Sequence, residues 1–299
     1  MNVLVATDSF KGTFGAASVA AAIARGLRAG GYAAVELPIA DGGEGTMDVL
    51  GGEVHTATAS DPLGRPVEAR FSLLDAGRVG VVEMAEASGL RLVGEEERDA
   101  FAASTRGTGE LIAAAASAGA GSVVVAVGGS ATTDGGAGAL EALDAAGVDL
   151  PITVLCDVRT PWENAPRVFG PQKGADARTV KRLEKRLDEL ASRAPRDPRG
   201  VPMTGCAGGL SGGLWAFRGA KLVPGAAYVL DALGFDDRMR DARFVVTGEG
   251  RLDAQTLEGK ACAEVATRAR QGGVACHAVV GKNDLDPFRA RVLDFGLVI

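Results

Sequence analysis

The sequence predicts an α/β fold, with a Rossmann-like parallel-sheet domain built from both chain ends and a mixed α/β domain inserted between them. Three observations predict it. Apolar strand-like runs alternate with helix-period segments at both ends, which implies a parallel sheet covered on both faces. Less regular strands and helices fill the middle. Finally, 43 of the 299 residues are glycine, about twice the usual share of roughly 7%, and they cluster beside the ends of expected strands.

The first stretch reads strand, turn, helix, strand. Residues 3–6 form the strand, and in the helix Ala16, Val19, Ile23 and Leu27 recur at helical spacing until Gly30 and Gly31 stop it. A second strand is expected at 35–39. A hairpin over 56–72, turned by Pro62-Leu63-Gly64, precedes a strand at 79–84, an Ala-rich helix at 108–118 and a buried strand at 123–127. After Leu155 a loop-rich stretch leads to a helix over 180–193. Its Val180, Leu183, Leu187 and Leu190 form one apolar stripe opposite a charged, solvated face. Pro195, Pro198 and Pro202 mark a linker or long loop. The opening pattern then returns, with a strand at 243–247, a helix at 260–270, a strand at 274–280 and a last one at 292–299. The expected domains are 1–48 with 238–299, and 49–237.

Composition narrows the function. With 46% hydrophobic and 23% charged residues, and no three-residue glycine period, the chain is globular, neither disordered nor collagen-like. The net charge of -6 comes from interspersed acids and bases, so nucleic acid is not an expected partner. No signal-peptide pattern opens the sequence, and Gly119, Gly121, Gly128 and Gly129 interrupt the uncharged stretch 111–133, so no membrane association is expected. Four cysteines without a CxxC pair fit reduced thiols in a cytoplasmic protein. His55 and His277 are too isolated for a catalytic triad or a His-rich metal site.

The glycines gather in four clusters: Asp41-Gly42-Gly43-Glu44-Gly45, Gly128-Gly129-Ser130-Ala131-Thr132-Thr133-Asp134-Gly135-Gly136, 205–213, and Gly248-Glu249-Gly250-Arg251-Leu252-Asp253. Loops of this kind let backbone N–H groups approach a phosphate, and a following helix N-terminus adds partial positive charge. Tight turns are the plainer alternative for any single cluster. The carboxylates of Asp41, Glu44, Asp134, Glu249 and Asp253 point further, to Mg²⁺ binding or proton acceptance, and so to metal-assisted phosphoryl transfer. Asp8, Ser9 and Lys11 at the end of the first strand suit a metal or hydroxyl partner, an anion donor and a phosphate counter-charge; an Asx-turn with a solvated lysine is the alternative. Lys173 offers a second cation, and Arg251 a fork for a carboxylate or phosphate. Neither a P-loop nor a dinucleotide fingerprint occurs, since Gly259-Lys260 is followed by Ala261 and the first strand by Thr7-Asp8-Ser9-Phe10-Lys11-Gly12.

These clusters, with Cys156-Asp157-Val158, Phe169-Gly170-Pro171-Gln172-Lys173-Gly174-Ala175 and the run from Thr247 to Thr256 with Gly259-Lys260, resemble the bacterial class I glycerate kinases. The match is collinear from residue 2 to about residue 281. The resemblance implies a two-domain enzyme moving the γ-phosphoryl of ATP to D-glycerate, usually at the 2-hydroxyl to give 2-phosphoglycerate, with Mg²⁺ as cofactor. On it, Asp134 or Asp253 is the expected base, and Asp41, Glu44 and Glu249 surround Mg²⁺. Lys11 and Lys173 meet phosphate, Arg251 takes the glycerate carboxylate, and Asp8, Ser9, Gly128, Gly129, Ser130, Thr132, Gly135 and Gly136 hold the nucleotide. A homodimer is compatible with it. The sequence departs from the family pattern in four places. Position 133 is Thr where Asn is usual, the stretch 159–168 is shorter, a segment between Leu143 and Ile152 is nearly gone, and Ile299 falls before the usual C-terminal helices. Two alternatives follow: a degenerate kinase-like protein that binds a small acid or nucleotide without turnover, and a kinase for another small hydroxy acid.

Overall fold

The computed structural model describes residues 2–299, with Glu258 by its backbone only. Ten strands occur among the described residues: β1 (Asn2–Thr7), β2 (Ala33–Glu36), β3 (Glu53–Ser60), β4 (Pro66–Leu74), β5 (Val79–Glu83), β6 (Ser122–Ala126), β7 (Ile152–Cys156), β8 (Lys221–Pro224), β9 (Ala242–Leu252) and β10 (Ala275–Asn283). They form a four-stranded sheet of order β10-β9-β1-β2 and a six-stranded sheet of order β3-β4-β5-β6-β7-β8. The chain divides into two compact units, Met1–Asp41 with Asp48–Leu50 and Pro224–Ile299, and Gly42–Met47 with Gly51–Val223. No helix among the described residues is long and apolar enough to cross a membrane.

The first unit is the Rossmann-like one, its strands all parallel. Val3, Leu4, Val5 and Ala6 are all buried, as a central parallel strand requires, and alternation sends them to opposite faces. Val3 and Val5 pack with Ala20 and Ala24 of the helix Ala16–Ala29. Leu4 and Ala6 pack with Leu230, Phe235, Val265 and Ala266. The helices Gly225–Ala232 and Phe235–Arg240 belong to this unit through that second core; the sequence reading leaves them largely with the inserted domain.

Three local expectations change. The second strand lies at Ala33–Glu36, ahead of 35–39, but its pairing runs on, since Leu37 and Ile39 still donate to Val5 and Thr7; Pro38 falls between them on the open edge of the sheet, where no N–H is needed. Strand β9 does not stop at Thr247. Pairing of Thr7 with Gly248, and of Val280, Lys282 and Asn283 with Glu249, Arg251 and Leu252, carries it through the fourth glycine cluster. Within 292–299 only the last residues pair: Val298 bridges Ala278 in parallel, the Gly296 and Ile299 N–H groups donate to the Cys276 and Ala278 carbonyls, and the Ala278 and Val280 N–H groups donate to those of Leu297 and Ile299.

The second unit is mixed: β3, β4 and β5 pair antiparallel, while β5, β6 and β7 pair parallel. The hairpin and the helices Arg106–Ser117 and Ala177–Ala191 fall where periodicity puts them. Strand β7 lies just before the expected loop-rich stretch, where the sequence reading places no element; Ile152, Val154 and Cys156 join the core beside β6. The proline-marked stretch is a loop inside this unit, tied by the Thr204 hydroxyl to the carbonyls of Pro198 and Val201.

Candidate active site

The carboxyl ends of β1, β9 and β10 meet around a cavity of about 440 Å³, the place where open α/β sheets bind ligands. Glycine makes the convergence possible. A Cβ on Gly281 would lie 2.6 Å from the Gly250 carbonyl oxygen, and one on Gly250 would lie 3.3 Å from Phe10 Cα. The turn after β1 is pinned by the Asp8 N–H, which donates to the Gly248 carbonyl at 2.9 Å.

Four acids, Asp8, Asp41, Glu249 and Asp253, and four cations, Lys11, Arg251, Lys260 and Lys282, line this cavity. Asp8, Asp41 and Glu249 are 5%, 2% and 7% exposed, and they lie close enough for the Asp41 charge to act on the other two. Burial, reinforced by the Asp41 charge, pushes the Asp8 carboxyl up to about 8 against the pull of Lys11 and the Ser9 N–H. Burial also raises Glu249, whose Oε1 accepts from the Thr256 hydroxyl at 2.7 Å, with Asp41 and Asp253 adding to the rise. Lys11 Nζ stands 3.4 Å from Asp41 Oδ2 and is half exposed.

Sequence reasoning missed Lys282 and Asp284. Arg251 Nη2 lies 2.6 Å from Asp284 Oδ2 and its Nε 3.7 Å from Asp253 Oδ2, while Lys282 Nζ is 3.0 Å from Asp284 Oδ2. Asp284 thus holds Arg251 and Lys282 side by side, and both cations hold its carboxyl below the usual range. The signal was present: Gly281-Lys282-Asn283-Asp284 follows the strand expected at 274–280, as three of the four glycine clusters follow expected strands.

The second unit uses its glycine clusters differently. Asp134 Oδ2 accepts from the Thr105 N–H, the Thr105 hydroxyl and the Gly138 N–H, and Oδ1 accepts from the Gly136 N–H. Its oxygens are taken up in bracing the loop to the following helix. Lys173, 1% exposed, donates to Ser130 Oγ and the Thr132 carbonyl. Thr132, Gly135 and Gly136 are buried, whereas Gly129 is exposed beside Glu44, itself exposed. The cluster at 205–213 packs against protein: a Cβ on Gly208 would lie 2.1 Å from the Thr132 carbonyl oxygen, and one on Gly212 would lie 2.5 Å from the Trp162 ring. Trp162, from the 159–168 stretch, is 1% exposed and donates its Nε1–H to the Leu187 carbonyl.

A family model described as the glycerate kinase family matches residues 3–150 and 144–296. The chain belongs to the glycerate kinase family. Within the family, it is 38% identical to a glycerate kinase of Bacillus subtilis (strain 168), over 96% of this chain and 86% of that one. It is also 38% identical to a glycerate 2-kinase of Escherichia coli (strain K12), over 91% and 82%. A crystal structure assigned provisionally as glycerate kinase 2 from Salmonella typhimurium LT2 superposes with a TM-score of 0.83 at 34% identity, covering all of this chain and 90% of that one.

Of the acids expected around Mg²⁺, Asp41 and Glu249 share the first-unit cavity, and Glu44 lies in the second unit. Among the described residues no group of three Asp, Glu, His or Cys closes on one point. This donor set still fits Mg²⁺, which usually takes one or two carboxylates and completes its shell with water and substrate phosphate. Buried carboxylates such as Asp8 and Glu249, whose proton affinity burial and the Asp41 charge raise, also mark a place that a divalent cation relieves.

Proposed function

We propose that the protein transfers the γ-phosphoryl group of ATP to D-glycerate, at the 2-hydroxyl, giving ADP and 2-phosphoglycerate. The observation that carries this reading is the first-unit cavity, in which buried carboxylates stand beside a rim of cations at parallel strand ends. A small hydroxy acid needs both: a cation for its carboxylate and a proton acceptor for its hydroxyl.

Arg251 and Lys282, set side by side by Asp284, take the glycerate carboxylate, the guanidinium fork giving orientation as well as charge. Asp8 accepts the hydroxyl proton. Its environment tunes it toward neutral pH, where a general base works best, and it replaces Asp134, whose oxygens are occupied. Asp253 stays the second candidate. It lines the same cavity, and its Oδ1 is held by the Gln255 N–H at 2.9 Å. As the proton leaves for the carboxylate, the hydroxyl oxygen bonds to the γ-phosphorus and the bond to the ADP oxygen breaks.

Mg²⁺ would be held by Asp41 and Glu249 and would neutralise charge on the nucleotide phosphates. Lys11 stands at the rim as a phosphate counter-charge. In the second unit the phosphate contact of this loop would fall to Gly129, its exposed residue, because Gly128, Ser130, Thr132, Gly135 and Gly136 are buried.

The test is an assay of ADP release with ATP, Mg²⁺ and D-glycerate, followed by NMR of the product. The expected result is turnover at ordinary enzyme rates, about 1 to 1000 per second, with phosphate on C2. Nucleotide binding without turnover would move the protein to the degenerate class. Faster turnover of another hydroxy acid would replace the substrate, and phosphate on C3 would correct only the position.

A further inference from the structure

Lys173 stands outside the mechanism above, yet it is among the largest fully buried side chains of the molecule. It ends the one-turn helix Pro171–Lys173, which Gly174 closes at φ +89° while fitting against the Arg98 backbone. From there Nζ reaches Ser130 Oγ at 2.7 Å and the Thr132 carbonyl oxygen at 2.6 Å. Both acceptors are uncharged, and they lie two residues apart on the glycine loop after β6. The neighbouring hydroxyls of Thr132 and Thr133 are buried without hydrogen-bond partners, so Lys173 carries the side-chain bonding of this turn.

We propose that Lys173 is a positioning residue, a buried amine that clasps the Ser130-Ala131-Thr132 turn and sets the shape of the loop without itself contacting phosphate. A neutral amine has two N–H donors, which matches the two acceptors; an ammonium would bring a third donor and a charge into the packing. The charged groups facing it are Asp134 and Asp157, and the Phe169 ring lies 5.9 Å away. Burial outweighs the two carboxylates and pushes the lysine down to about 7. The clasp is therefore half formed near neutral pH and completes as pH rises above it. That the loop meets nucleotide phosphate rests on the function proposed above; the clasp itself does not.

Two measurements test it, the first needing no ligand. The ordinary lysine value is 10.5, so between about 7 and 10.5 the unfolded chain holds a proton that the folded one lacks. Wild-type stability should then gain with rising pH in that window relative to Lys173→Met. Chemical unfolding of both proteins from pH 7 to 10 reads this difference; equal pH dependence would overturn the clasp, and Lys173→Gln serves if the methionine variant does not fold. The second is calorimetry of ADP binding from pH 7 to 9 to Asp8→Asn, which removes the other group titrating in this range. A clasp keeps the affinity constant within about twofold, whereas a tenfold or greater loss would mark a phosphate-bound ammonium and overturn the proposal. If ADP does not bind at all, the loop's nucleotide role fails and the unfolding comparison still decides the clasp.

Discussion

The cavity at the ends of β1, β9 and β10 and the glycine loops of the second unit are written in the same sequence grammar, glycine with acids and hydroxyls beside a strand end. They use it in opposite ways. Around the cavity, glycine brings three backbone segments together so that four acids and four cations line one space. In the second unit, glycine makes room for the Trp162 ring and for loops crossing one another, and Asp134 and Lys173 spend their hydrogen bonds on the loop itself. A glycine cluster reports close approach, and the neighbouring side chains decide whether the approaching body is ligand or protein.

The sharpest way to break this contrast is Asp8→Asn. If Asp8 is the base, turnover should fall by about 10²- to 10⁴-fold with the fold retained by circular dichroism; near wild-type turnover would pass the role to Asp253, testable as Asp253→Asn. The same variant carries a pH signature. Asp8 holds its proton up to about 8 in the folded protein and releases it near 3.8 when free. The ligand-free wild type should therefore lose stability as pH rises from about 4 to about 8, and the asparagine variant should lose less. The kcat/KM of the wild type should rise over the upper part of that range, with a limb that Mg²⁺ moves to lower pH.

A smaller effect is expected from Arg251→Met. Losing a charge-assisted contact should raise the KM for glycerate about 10- to 100-fold, with little change in the KM for ATP. An equal rise in both would detach Arg251 from the carboxylate.

The smallest effects come from two glycines in helix interiors. Alanine normally stabilises such positions by up to about 1 kcal/mol. Gly26→Ala should do so, because nothing lies within 4 Å of its added Cβ. Gly212→Ala should instead cost about 1–3 kcal/mol through overpacking, since its Cβ would meet the Thr204 carbonyl oxygen and the Trp162 ring at 2.5 Å. Thermal unfolding reads both signs, and a stabilising Gly212→Ala would undo the packing account of that cluster.

Much of the fold was legible because it rests on local periodicity: β1 and its helix, the hairpin, and the amphipathic helix Ala177–Ala191 follow from apolar spacing alone. Strand β7 and the extension of β9 through Gly248-Glu249-Gly250 were not, since both exist by virtue of their neighbours in the sheet. At the candidate site, the types and order of Asp8, Lys11, Asp41, Glu249, Arg251 and Asp253 could be read directly. The bracing of Asp134 by Thr105, 29 residues away, could not, nor could the pairing of Arg251 with Asp284.

The sequence by itself determined which strand ends bear glycines with acids and cations and, through many ordered motifs, the family. Tertiary structure alone decided which of those groups remain available. Availability depends on desolvation and on hydrogen bonds between distant residues: Asp8 is buried among acids and holds a proton, Asp134 is buried among donors and becomes a brace, and the glycines divide between a cavity and a tryptophan.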